Sequence, residues 1–194
     1  QGAWGKIMAQ IREDQYRISR DVSAPDDSSI YRAVNPANSL RVSFDRQGVR
    51  IKPLSEDKDW HLNLSLTAYG VEGSLKPVLP TEPKEVSKGL EYDHKKIKQW
   101  YKNDVRGLEQ GFTIEKGQEE GDTGRLMLVL NTSGSLTPKA LTSGDGIGFY
   151  DEAGRMAVSY GDLKVVDADG KRLSSTFRLV QAIPSETAGE IRIS

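Results

Sequence analysis

The sequence predicts an all-β chain: a β-sandwich of two mostly antiparallel sheets, with one short helix at the N-terminus. Three observations predict it. Apolar and polar residues alternate with a period of two in at least five segments. Turn signals recur every ten residues or so. Only residues 4–14 carry a helical stripe, with Trp4, Ile7, Met8 and Ile11 spaced for one face.

The strands follow in chain order. Tyr16 and Ile18 alternate with Arg17 and Ser19. Leu40, Val42 and Phe44 alternate with Arg41 and Ser43. The turn Asp45-Arg46-Gln47-Gly48 leads into Val49 and Ile51, which makes a hairpin. Leu62, Leu64, Leu66 and Ala68 alternate with Asn63, Ser65 and Thr67, as a half-buried strand does. Residues 71–88 contain Pro77, Pro80 and Pro83 and read as a long loop. Residues 126–130, Leu-Met-Leu-Val-Leu, are apolar on both faces and predict a central strand. Gly148–Tyr150, the turn Asp151-Glu152-Ala153-Gly154 and Met156 to Tyr160 form a further hairpin. Leu163–Val166, the turn Asp167-Ala168-Asp169-Gly170 and Leu173–Val180 form the last. Leu64, Leu66, Phe112, Ile114, Leu128 and Leu130 are the expected core. Neither half offers a self-contained set of strands, so residues 1–194 are expected to form a single domain.

Composition bounds the function. The chain has 194 residues, enough to bury one substantial core. Its net charge of -1 lacks the basic excess of a nucleic-acid-binding domain. No apolar run is long enough for a membrane span. There is no cysteine, which removes disulfides and thiolate metal sites. The chain begins at Gln1 without an initiator methionine, which reads as a processed or trimmed form.

The segment 96–114 holds the candidate binding residues. Taken as a strand, 96–102 puts Ile97, Gln99 and Tyr101 on one face and Lys96, Lys98, Trp100 and Lys102 on the other. Trp100 then has two readings. Lysine stems cover a partly buried indole, or a bulge turns it inward; or the ring is an aromatic platform flanked by cations, suited to a sugar or an anionic glycan. The first is preferred. Asp104, Arg106 and Glu109 make a charge cluster around a turn, and Trp60 is a second candidate aromatic. The tentative ligand set is therefore Trp100, Tyr101, Asp104, Arg106, Glu109 and Trp60.

Catalytic and metal patterns are weaker. Asp167-Ala168-Asp169-Gly170 starts like a calcium loop, but Lys171 and Leu179 stand where further ligands belong. A hairpin turn explains it. His61 and His94 are far apart and neither has a patterned partner. Ser133-Gly134-Ser135 and Ser143-Gly144-Asp145-Gly146 lack the Lys-Ser/Thr of a phosphate loop. No catalytic residue, no metal ligand and no cofactor is expected.

Trp100-Tyr101-Lys102-Asn103-Asp104 followed by Arg106-Gly107-Leu108-Glu109-Gln110-Gly111-Phe112-Thr113 resembles a segment of the N-terminal domain of bacterial secreted proteins with FG-GAP (integrin-like) or related β-propeller repeats. Residues 44–51, 60–70 and 160–173 are similar to hairpins and a strand of that domain. The resemblance implies export, an all-β fold and a place beside other extracellular modules. It carries over no catalytic residues. The expected function is a non-catalytic secreted or cell-surface module for scaffolding, adhesion or partner contact. The alternatives are a carbohydrate-binding module using Trp100 and Tyr101, and after it a glycan-processing enzyme. A protein or glycan partner and a monomer or weak oligomer are expected.

Overall fold

A computed structural model describes Trp4 and residues 14–23, 30–115, 124–181 and 188–194. The expected N-terminal helix lies outside the described residues except for Trp4 and Asp14. The described residues form eighteen strands, paired antiparallel throughout. They divide between two compact units, each drawn from two stretches of chain: Gln1–Asp59 with Leu79–Gly117, and Trp60–Val78 with Gln118–Ser194. No single cut in the sequence separates the two.

The first unit holds four consecutive strands of one sheet and the whole of a second, four-stranded sheet. The four run β1 (Ser19–Arg20), β2 (Tyr31–Asn35), β3 (Leu40–Asp45), β4 (Gly48–Pro53). Phe44 and Asp45 pair with Val49 and Gly48 across the two-residue turn read from the sequence. The other sheet is ordered β10 (Gly107–Ile114), β9 (Ile97–Asp104), β8 (Gly89–Asp93), β7 (Lys84–Val86). Side chains link them. Phe44 meets Tyr101 edge-on, with ring centroids 5.0 Å apart. The Tyr92 hydroxyl donates to the Asp45 carbonyl at 2.8 Å, with the Gly48 carbonyl at 3.0 Å. Burial of the Tyr92 ring, then the Asp45 charge, pushes that phenol far above the usual tyrosine range.

The second unit has β6 (Ser74–Pro77), β5 (Leu62–Val71), β11 (Leu126–Gly134), β18 (Gly189–Ile193) and β17 (Phe177–Gln181), in that order across one sheet. β11 lies between β5 and β18, as its doubly apolar sequence requires, and Met127 to Leu130 are all buried. In β5, Leu62, Leu64 and Leu66 are buried in alternation. The register against β11 then shifts, and Thr67 bonds the Val129 carbonyl at 3.2 Å. Beside this sheet the unit has β12 (Thr137–Ala140), β13 (Gly146–Tyr150), β14 (Met156–Gly161) and the small hairpin β15 (Val165–Val166) with β16 (Arg172–Leu173).

Three expectations change. Residues 71–88 are not one long loop. Glu72-Gly73 turns β5 back into β6, and β7 forms after Pro83; prolines mark the ends of these strands rather than their absence. The stretch after Asp167 does not make one long hairpin, because β17 pairs with β18 instead of returning along β15. Phe112 and Ile114 are half-buried, because β10 is the end strand of its sheet; Leu64, Leu66, Leu128 and Leu130 are core as expected.

Candidate functional site

The β9–β10 hairpin carries most of the candidate residues. β9 alternates as its sequence demands: Ile97, Gln99 and Tyr101 are buried, and Lys98, Trp100 and Lys102 face outward. Adjacent residues on a strand point to opposite faces. Trp100 and Tyr101 therefore do not share a ligand face.

Trp100 is half-buried and held on several sides. It pairs across the hairpin with Gly111, and a Cβ there would overlap the indole at Cζ2 and Cε2. The ring thus lies over the glycine and fills its missing side chain. The indole N–H donates to Thr113 Oγ1 at 3.2 Å. The Lys102 ammonium sits 4.4 Å from the ring centroid. The indole is partly covered, with Gly111 against the ring and the Lys102 ammonium near its centroid, and β9 carries it without a break in register.

Tyr101 is 1% exposed. Its hydroxyl accepts from Gln99 Nε2 at 2.8 Å and from Gln110 Nε2 at 2.9 Å. His94 Nε2 lies 3.4 Å from Gln99 Oε1, and the imidazole stacks parallel to Tyr92 at 6.1 Å. Tyr101 is thus a core residue in a polar chain, and its phenol is not open to a ligand. Trp60, 9% exposed, is buried too and belongs to the other unit.

Asp104, Arg106 and Glu109 do come together. The two-residue turn Val105-Arg106 brings the guanidinium back onto Asp104, with Nη2 2.7 Å and Nε 3.2 Å from Oδ2. Glu109 Oε2 is 3.9 Å from Nη2. Asp104 Oδ1 also accepts the Arg106 N–H at 2.8 Å. The hydrogen bonds from Arg106 hold the Asp104 carboxyl below the usual carboxylate range, and Asp104 raises Arg106. The cluster is exposed and closes the turn.

Sequence reading missed Asn35 and the pairing role of Asn103. Asn35 is fully buried and donates to Asn103 Oδ1 and the Asp104 carbonyl, both at 2.8 Å, while its Oδ1 accepts the Asn38 N–H at 3.0 Å. Asn103 donates onward to the Tyr16 and Val34 carbonyls at 2.9 Å. The only sequence signal was Asn beside Pro36, which reads as a turn.

The turn Asp167-Ala168-Asp169-Gly170 is a hairpin loop. Asp167 Oδ1 accepts the N–H groups of Asp169 at 3.0 Å and Lys171 at 2.8 Å. Among the described residues no group of three or more His, Asp or Glu side chains is gathered for a metal ion, and no helix is long and apolar enough to cross a membrane.

One depression lies beside the hairpin, on the β7–β8 side. It holds about 240 Å³ and is lined by Val86, Ser87, Lys88, Glu91, Lys102 and the flank of Trp100 and Tyr101. Glu91 pairs with Lys98 at 3.7 Å.

Fold and site together define an all-β antiparallel chain with a braced surface hairpin. Comparison with protein-family models, curated proteins and solved structures gives no match to any of them.

Proposed function

We propose that the chain is a non-catalytic module of a secreted or cell-surface protein, working by contact with a protein or glycan partner. The observation that carries this is the engagement of its chemically able side chains. Tyr101 is tied up with Gln99 and Gln110, Arg106 closes on Asp104, and Trp100 lies over Gly111. This engagement supports a contact role over a reactive one. The resemblance to the N-terminal domain of FG-GAP-repeat proteins supports export. The facing contacts of Phe44 with Tyr101 and Tyr92 with Asp45 support a β-sandwich in the first unit.

Purified chain assayed on chromogenic glycosides, esters and peptides should give no turnover above buffer. Turnover abolished by one carboxylate or histidine substitution overturns the reading. In cells of its source organism the chain should fractionate with the envelope or the medium, and recovery in the cytosol contradicts export.

A glycan-binding reading is favoured by the depression beside Trp100, whose lining mixes an apolar wall, a hydroxyl and opposite charges.

A further inference from the structure

We propose that the depression bounded by Val86, Lys88, Glu91 and Lys102 binds an acidic sugar residue, a pyranose bearing a carboxylate. This rests on reading the chain as a contact module and gives that module a ligand class. The site differs from an indole platform, because the Trp100 ring is committed to Gly111 and Lys102.

Its shape comes from the sequence. Val86 pairs with Gly89 across the β7–β8 turn. Gly89 has φ +147°, and a Cβ there would run into the Tyr101 carbonyl. Only glycine serves, and it lets β8 pair closely with β9 beside the hollow. At about 240 Å³ the hollow is below drug-sized sites, which run from roughly 300 Å³ upward. That suits a single ring.

Each wall has a task. Val86, 41% exposed, offers an apolar patch to the face of a sugar ring. Ser87 and Glu91 supply a hydroxyl and a carboxylate for sugar hydroxyls. Lys88 and Lys102 supply two ammonium groups for a carboxylate. The neighbouring carboxylates have cations of their own beside them: Glu91 has Lys98 at 3.7 Å, and Glu109, opposite Lys102, has Arg106 at 3.9 Å. The indole holds the Lys102 ammonium in place at 4.4 Å. A neutral sugar leaves both ammonium groups unanswered, and a simple carboxylate leaves Val86, Ser87 and Glu91 unanswered.

The test titrates the ¹⁵N-labelled full chain with sodium glucuronate, glucose and sodium acetate at constant ionic strength. Glucuronate should move the Ser87, Lys88 and Lys102 amides saturably, with Kd on the order of 1 mM. Glucose and acetate should bind more weakly. Lys88→Ala, in an exposed turn, should weaken glucuronate about 3–5-fold, the scale of an exposed ion pair, with an unchanged urea midpoint. No saturable shift, equal shifts with acetate or glucose, or an unaffected Lys88→Ala overturns the site. Those results leave the contact-module reading standing, since that reading falls to turnover or a cytosolic location.

Discussion

At the scale of single residues, the polar side chains of the first unit act as fasteners. Asn35 is the clearest case, with its amide shared between Asn103, Asp104 and Asn38. Removing it leaves buried donors and acceptors without partners, which costs about 1–3 kcal/mol. Asn35→Ala should therefore lower the urea unfolding free energy by that amount; a change within error shows that the clasp adds nothing. The sequence made the two faces of β9 legible, because alternation alone puts Gln99 and Tyr101 on one face and Trp100 on the other. It did not say which face is buried, and Tyr101 stood among the candidate ligand residues. It did not show what each side chain would meet. Asn35 and Asn103 are 68 positions apart, and their pairing follows from how two sheets face each other. The partner of Trp100 was equally hidden, because a glycine opposite an indole gives no hydropathy signal.

At the scale of elements, turn chemistry was the most readable level. Asp45 and Asp104 each accept the N–H two residues on, at 2.7 and 2.8 Å, and the following Gly opens the return strand. Asp151 and Asp167 close longer loops by accepting the N–H four residues on, at 2.9 and 2.8 Å. Because Asp167 is spent on its own backbone, calcium should leave the melting temperature unchanged beyond a small salt effect. Gly170, at φ +80°, should lose about 1–2 kcal/mol on change to Ala. A rise of several degrees with calcium, abolished by Asp169→Ala, contradicts the hairpin reading, since a ligand of the native state must stabilise it. Strand partners were less readable. Leu173–Val180 looked like one strand because its residues are apolar enough, yet pairing with β18 divides it. β18 itself, Gly189–Ile193, is short and late in the chain, and only Ile191 and Ile193 carry its alternation.

At the scale of the whole molecule, composition and alternation foretold an antiparallel all-β chain. The division into two units was not legible, because each takes strands from two separated stretches. Hydrophobic pattern reports which face of a strand is buried, not which strands bury it. The central claim is that the side chains resembling a site in the sequence brace the fold instead. Urea unfolding of Trp100→Ala beside wild type, with both on a glycan array, tests it most directly. A half-covered indole over Gly111 should cost about 1–3 kcal/mol on truncation, less than the 3–5 of a fully buried one. The account predicts a lower urea midpoint at unchanged slope, so that any loss of acidic-glycan signal comes together with a loss of stability. An unchanged midpoint with glycan binding abolished would contradict it.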